Sequence, residues 1–169
     1  MNVLAAVASK HGSTTEIAEA IKDELVQLGH DARVASVEEL KTVEGYDAVV
    51  LGSAIYMGQW MKPAKDFATR QAASLTTLPV WLFSSGPVGD PAKPNDPADR
   101  RQGDQLAETL VARGHMVFRG KVDRDNLSVA ERAIVRIAKA PNSDQRDWKE
   151  IRSWAGGVGA ELDLLATKG

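Results

Sequence analysis

The sequence predicts an α/β fold, a doubly wound parallel sheet of five strands in the order 2-1-3-4-5 with helices on both faces. Two observations predict it. Short apolar runs alternate along the chain with longer stretches in which apolar residues recur every three or four positions, as when strands exchange with amphipathic helices. The clearest of these runs also lack internal alternation, and a strand of that kind is covered on both faces, as in a parallel sheet. Each crossover between parallel strands is right-handed and long enough to hold a helix. Of the two common doubly wound orders, five strands favour 2-1-3-4-5 over 3-2-1-4-5-6.

Val3–Ala8 is a compact apolar run followed by Ser9-Lys10-His11-Gly12, a buried strand and a tight turn. Ile17, Ile21, Leu25 and Leu28 then repeat at helical spacing, with Glu16, Glu19, Lys22 and Asp23 elsewhere and Gly29 as the stop. A second strand is expected at Asp31–Ser36 and a third at Asp47–Gly52, through Ala48-Val49-Val50-Leu51. Trp60–Leu75 returns to helical spacing through Ala64, Phe67 and Ala68, and Leu78–Phe83 forms the fourth strand. Gln102–Arg113 is helical through Leu106, Leu110 and Val111, His115–Phe118 begins the fifth strand, and Glu131–Lys139 is a short helix. The final helix carries Trp148, Ile151, Ala155, Val158, Leu162 and Leu165 on one stripe, with Trp154 at its edge. Gly156, Gly157 and Gly159 interrupt it at up to about 1 kcal/mol each relative to alanine, either for close packing or at the expense of a frayed second half.

At 169 residues the chain is expected to form one domain, residues 1–169. Its 43% hydrophobic and 26% charged residues exclude wholesale disorder and a membrane-embedded body. With 21 Lys plus Arg against 23 Asp plus Glu, no large basic field exists to hold a nucleic acid. The absence of cysteine removes disulfides, thiol nucleophiles, dithiol relays and cysteine-ligated metal centres, so redox chemistry here requires a non-thiol cofactor. Met1-Asn2 runs directly into the first apolar segment without a basic prelude, and no stretch reaches the roughly 20 apolar residues of a membrane span. A cytoplasmic location without a transmembrane segment is expected, with peripheral membrane contact and oligomeric state left open.

In an open sheet of this kind ligands bind beyond the carboxyl ends of the strands where the winding reverses. That rule selects the loops Ser9–Thr14, Ser53–Trp60 and Ser84–Asp90. The first joins a strand to a helix start and carries hydroxyls, a glycine and Lys10, a suitable place for an anion. It lacks the glycine spacing of nucleoside triphosphate and dinucleotide sites, so one monoester phosphate fits better; the alternative is that Ser13 or Thr14 merely caps the helix. The second sets Tyr56, Met57 and Trp60 beside Gly52 and Gly58, a surface for a planar ring, with Trp60 equally readable as a helix residue. The third offers Gly86 and Gly89 for close approach and continues into a proline-rich lobe that holds four of the seven prolines. His30 and His115 stand at helix-to-strand junctions and read as structural, whereas His11 lies inside the phosphate turn. No Ser–His–Asp set, metal cluster or carboxylate pair is apparent, and no catalytic side chain is assigned.

These residues resemble the flavodoxin superfamily, whose phosphate loop reads T/S-x-T-G-x-T after the first strand. Ser9-Lys10-His11-Gly12-Ser13-Thr14 matches at Ser9, Gly12 and Thr14, with His11 in place of a hydroxyl residue. Gly52-Ser53-Ala54-Ile55-Tyr56-Met57-Gly58, Phe118-Arg119-Gly120-Lys121 and Asp147-Trp148 toward Trp154-Ala155 are similar to the branch that includes menaquinone-dependent protoporphyrinogen oxidase. The resemblance implies a flavodoxin-like fold and noncovalent FMN. Its phosphate would lie on Ser9, Lys10, His11, Gly12, Ser13 and Thr14, and its ring between two groups: Ser53, Ala54, Ile55, Tyr56, Met57 and Gly58 on one side, and Ser84, Ser85, Gly86, Gly89 and Asp90 on the other. It implies an FMN-dependent oxidoreductase similar to the protoporphyrinogen dehydrogenase branch, using a quinone or another acceptor, with the substrate left open. The alternative is an electron-transfer protein docking on a larger redox partner. A net charge of −2 favours the enzyme over the very acidic carriers. Lys62, Lys93, Arg100 and Arg101 are candidates for a porphyrinogen's carboxylates, or ordinary solvated charges. A phosphoacceptor receiver domain shares the architecture but needs acidic residues where Ala8-Ser9 and Gly52-Ser53 stand. A cofactor-free binding module is the remaining reading.

Overall fold

The computed structural model describes residues 1–86, 96–122, 132 and 143–167. Strands β1 (Asn2–Ala8), β2 (Asp31–Ser36), β3 (Ala48–Tyr56), β5 (Val80–Ser85) and β6 (Gly114–Phe118) form a parallel sheet in the order β2-β1-β3-β5-β6. Counting the parallel strands alone, this is the expected 2-1-3-4-5 arrangement. A two-residue strand, β4 (Gln59–Trp60), pairs antiparallel with the end of β3, and β7 (Lys121–Val122) pairs with β8 (Ser143–Asp144) outside the main sheet.

Period-2 geometry divides the apolar strands between two cores. Leu4, Ala6, Val49, Leu51 and Leu82 face α2 (Lys62–Arg70), α3 (Ala72–Leu75) and α4 (Pro97–Leu110), with Phe67, Leu75 and Leu110 as buried partners. Val3, Ala5, Val7, Val50 and Phe83 face α1 (Ser13–Gln27) and α5 (Trp148–Ala166), where Ile17, Ile21 and Leu25 pack with Ile151, Ala155, Val158 and Leu162. α5 continues unbroken through its glycines, and a Cβ at Gly159 would fall against Leu28, so that glycine serves close packing with the end of α1.

Several boundaries differ from the sequence expectation for identifiable reasons. β3 runs four residues past Gly52, because Ser53–Tyr56 continue into a hairpin, and Trp60 lies in β4 instead of opening a helix. The next helix begins at Lys62 behind Pro63, which suits a first turn, and breaks at Gln71, whose side-chain amide donates to the Lys41 carbonyl at 2.9 Å. β5 starts at Val80 instead of Leu78. α4 begins five residues before Gln102: the Asp96 carboxylate accepts from the Ala98 amide at 2.8 Å and Pro97 follows the cap. It ends at Leu110, since Val111 turns left-handed (φ 54°) and stands exposed instead of joining the apolar stripe. The helix expected at Glu131–Lys139 lies outside the described residues apart from Arg132. No helix among the described residues is long and apolar enough to cross a membrane.

Candidate functional site

Parallel register brings the three loops together. Ala8 pairs with Ser53, Ser53 with Ser84 and Ala54 with Ser85, so the ends of β1, β3 and β5 lie side by side at one edge of the sheet. The turn after β1, the hairpin after β3 and the segment after β5 therefore share one rim.

The first turn is built around Gly12, whose φ of 81° is easy for glycine and strained for other residues. The first intrahelical bond of α1 runs from the Glu16 amide to the Gly12 carbonyl at 2.9 Å, which leaves the Ser13, Thr14 and Thr15 amides ahead of it without a helical carbonyl. No side chain caps this end, so neither Ser13 nor Thr14 plays the cap role that was the alternative to ligand binding. α4 and α5, by contrast, are both capped by aspartates, Asp96 and Asp147. The Ser13 hydroxyl oxygen is buried with no hydrogen-bond partner among the described residues, and Thr14 is buried beside it. A buried orphan hydroxyl and unpaired amides at a helix N-terminus fit a phosphate group. Ser9, Lys10 and His11 complete the turn; Lys10 and His11 both make polar contacts of their own.

The second segment is a hairpin whose tip, Met57-Gly58, has positive φ at both positions (52° and 72°), as a tight two-residue turn of the right twist requires. Tyr56 is 42% exposed and Met57 86%, so the tip presents an aromatic and a thioether to the rim. Ala54 and Ile55 are buried in β3. The buried Ser53 hydroxyl is spent on the backbone, donating to the Ala54 carbonyl at 2.8 Å and accepting from the Met61 amide at 3.0 Å. Gln102 of α4 holds the hairpin from below, accepting from the Trp60 amide and donating to the Gln59 side chain at 2.8 Å.

In the third segment Ser84 and Ser85 are buried at the end of β5. Gly86 has φ 141° and donates to the Phe118 carbonyl at 3.2 Å, and a Cβ there would lie 3.0 Å from the Ile55 carbonyl oxygen. Only glycine passes through that gap without strain. Gly89 and Asp90 lie outside the described residues, as does Lys93. Lys62 is tied to Asp66 at 2.5 Å and Arg100 to Asp104 at 3.5 Å, so both basic residues have carboxylate neighbours.

Beneath the rim the structure assembles a relay that the sequence did not disclose. The Trp60 indole N–H donates to Ser84 Oγ at 2.7 Å. Ser84 Oγ lies 2.7 Å from His115 Nε2, and His115 Nδ1 lies 2.7 Å from Asp104 Oδ1. With the indole already donating to Ser84, the hydroxyl proton goes to Nε2, and Nδ1–H goes to the carboxylate. The arrangement has Ser–His–Asp connectivity, but Ser84 has no exposed surface and its oxygen accepts from Trp60, so it pins the hairpin to β5, β6 and α4. Burial pushes the His115 pKa below its ordinary value, with Asp104 pulling the other way. A Cβ at Gly103 would fall on the His115 ring, so the glycine makes the space the ring occupies. Separations of 31 and 11 residues place these partners beyond any local spacing pattern.

The fold and this three-part rim define a flavodoxin-type α/β domain. The model of the family described as flavodoxin domain matches residues 4–149, and the chain belongs to that family. Protoporphyrinogen IX dehydrogenase [quinone] of Escherichia coli strain K12 is 33% identical over 86 residues, covering 50% of this chain and 48% of that protein. The chain thus matches about half the length of its curated relatives. Among solved structures, a flavodoxin from the domain Archaea superposes with a TM-score of 0.63 at 16% identity, over 96% of this chain and 99% of that one. Flavodoxin 1 from Bacillus cereus gives 0.61 at 15%, over 92% and 95%. Rubredoxin oxygen:oxidoreductase from Desulfovibrio gigas gives 0.65 at 11%, over 96% of this chain but 36% of the larger one. At such identities these structures speak to the fold alone.

Proposed function

We propose that the protein is an FMN-dependent oxidoreductase that takes electrons from a reduced porphyrinogen or a similar donor and passes them to a quinone. The observation that carries the reading is the first turn of α1: an N-terminus with a left-handed Gly12, no side-chain cap and a buried Ser13 hydroxyl without a partner among the described residues. Ser9, Gly12, Ser13 and Thr14 hold the phosphate through amides and hydroxyls, with Lys10 and His11 supplying donors at the turn's edge. Tyr56 and Met57, exposed at the hairpin tip, would cover one side of the ring, and Ala54, Gly58 and Gly86 would bring backbone groups to its polar edge. FMN, when bound, supplies the electron acceptor that a chain without cysteine lacks. The protein's share is to bind, orient and shield the ring. The porphyrinogen and quinone are proposed from the printed activity of the Escherichia coli relative.

The test begins with titration of FMN against riboflavin. Binding of FMN at least about tenfold tighter is expected, as several charge-assisted hydrogen bonds to a phosphate supply more than 1.4 kcal/mol; equal affinities remove the phosphate assignment. The loaded protein is then reduced anaerobically and mixed with menaquinone, a porphyrin and one-electron acceptor proteins. Fast, selective reoxidation by the quinone supports the enzyme. Reoxidation only by a protein partner supports the second reading, an electron carrier, which membership of the flavodoxin domain family favours.

A further inference from the structure

Behind the amides of the first α1 turn lies a buried arginine bonded to that turn. Arg146, in the short segment between β8 and α5, has a side chain only 3% exposed. Its guanidinium makes a two-pronged pair with Asp144, Nε to Oδ1 at 2.8 Å and Nη2 to Oδ2 at 2.6 Å. Nη1 crosses to α1, where it donates to the Glu16 carboxylate at 2.6 Å and to the Ser13 carbonyl at 3.2 Å. The Trp148 ring closes the far side, 4.4 Å from the guanidinium carbon. A planar fork suits this task in a way an ammonium does not.

Glu16 explains why the clasp matters. It is the acidic residue of the first turn of α1 and its side chain is 53% exposed, so a carboxylate of the protein's own stands on the same turn as the Ser13, Thr14 and Thr15 amides. A helix N-terminus attracts such a group as readily as it attracts a phosphate. We propose that Arg146 is a positioning residue for the anion turn: it draws Glu16 aside, neutralises it and braces the Ser13 carbonyl, so that the three amides stay available to a phosphate. The proposal rests on reading that turn as the FMN phosphate site. Burial opposes the guanidinium's charge, yet its bonds to Asp144 and Glu16 outweigh burial and keep it protonated.

The experiment measures FMN and riboflavin affinity in the wild type, R146M, E16Q and the double variant, with R152M as a control at an exposed arginine 3.9 Å from Glu24 on the opposite stretch of α1. R146M should bind FMN about tenfold more weakly while riboflavin affinity changes less than about twofold, the size expected for one uncompensated charge near a dianion. E16Q should restore FMN binding in the R146M background, because the competing carboxylate is gone. Equal loss of both ligands in R146M, or no rescue by E16Q, overturns the proposal. A wild type that binds FMN and riboflavin equally overturns the phosphate reading instead. Amide exchange of the ligand-free protein then still tests the clasp: slower exchange of the Ser13, Thr14 and Thr15 amides in R146M than in R152M, as the released Glu16 carboxylate bonds them, supports it, and equal or faster exchange refutes it.

Discussion

Replacing a glycine inside a helix by alanine ordinarily stabilises a protein by about 1 kcal/mol, but at Gly103 of α4 the expected sign is reversed. The added Cβ would land on the His115 ring, which is fixed on both nitrogens by Ser84 and Asp104. Moving the ring breaks those bonds in a buried place, so Gly103→Ala should lose about 2–4 kcal/mol in urea unfolding; a gain in stability would mean the ring has room. Gly12 presents the opposite case. Among the described residues no atom lies within 4 Å of where its Cβ would be. Gly12→Asp therefore strains only the left-handed backbone, at about 1–2 kcal/mol. FMN affinity should nevertheless fall at least about a hundredfold, because the carboxylate takes the phosphate's place and charge. Titration of the folded variant with undiminished affinity would detach the turn from the cofactor.

The hairpin between β3 and α2 shows how one local unit is both anchored and exposed. Trp60 anchors it: the buried indole donates to Ser84, and Trp60→Phe keeps the apolar volume while deleting that donor. A loss of about 1–2 kcal/mol in unfolding free energy is expected, and an unchanged midpoint would show that the bond is dispensable. At the tip Tyr56 is half exposed, so Tyr56→Ala should alter stability by no more than about 0.5 kcal/mol yet shift the bound flavin's absorption or potential. If neither optical nor redox reading moves, Tyr56 does not face the ring. The hairpin was also the part least visible in the sequence. Tight turns of this kind favour Asn-Gly or Asp-Gly, and here Met57 occupies the first left-handed position, so residue type concealed the turn. The start of α4 was hidden likewise, since Pro97-Ala98-Asp99-Arg100-Arg101 shows no apolar period and only the Asp96 cap marks it. β1 was legible as a compact apolar run, β2 from its place after the Gly29 stop, and α5 from an apolar stripe that holds its spacing across three glycines behind the Asp147 cap. The anion turn was legible from Gly12 and its hydroxyl neighbours. Arg146 and the His115 relay were not, because each joins residues distant in sequence through ordinary-looking charges.

Across the molecule, the relay and the clasp lie on opposite faces of one sheet and should respond to acid separately. His115 sits on the α4 face, where burial lowers its pKa from the ordinary 6.5. Below pH 6.5 the unfolded chain takes up a proton that the folded protein refuses, so stability must fall with falling pH through that window. Asp104 attenuates the effect and the nearby Arg100 reinforces it. On the α1 and α5 face, hydrogen bonding to Arg146 holds the Asp144 carboxyl below its ordinary 3.8. Its contribution is complete above 3.8 and is lost as pH falls below that value. Asp99 runs the other way: burial and the neighbouring Asp96 raise its pKa, so protonation there favours the folded state as pH falls toward 3.8, before the second stage begins. Urea unfolding from pH 8 to pH 3 should therefore show two declines in stability, one beginning near 6.5 and one near 3.8. His115→Gln should flatten the first and leave the second, and R146M should do the reverse. A His115→Gln protein that still loses stability just below pH 6.5 would place the titrating group elsewhere, and the relay would then be a neutral pin without a pH-dependent share in holding the rim.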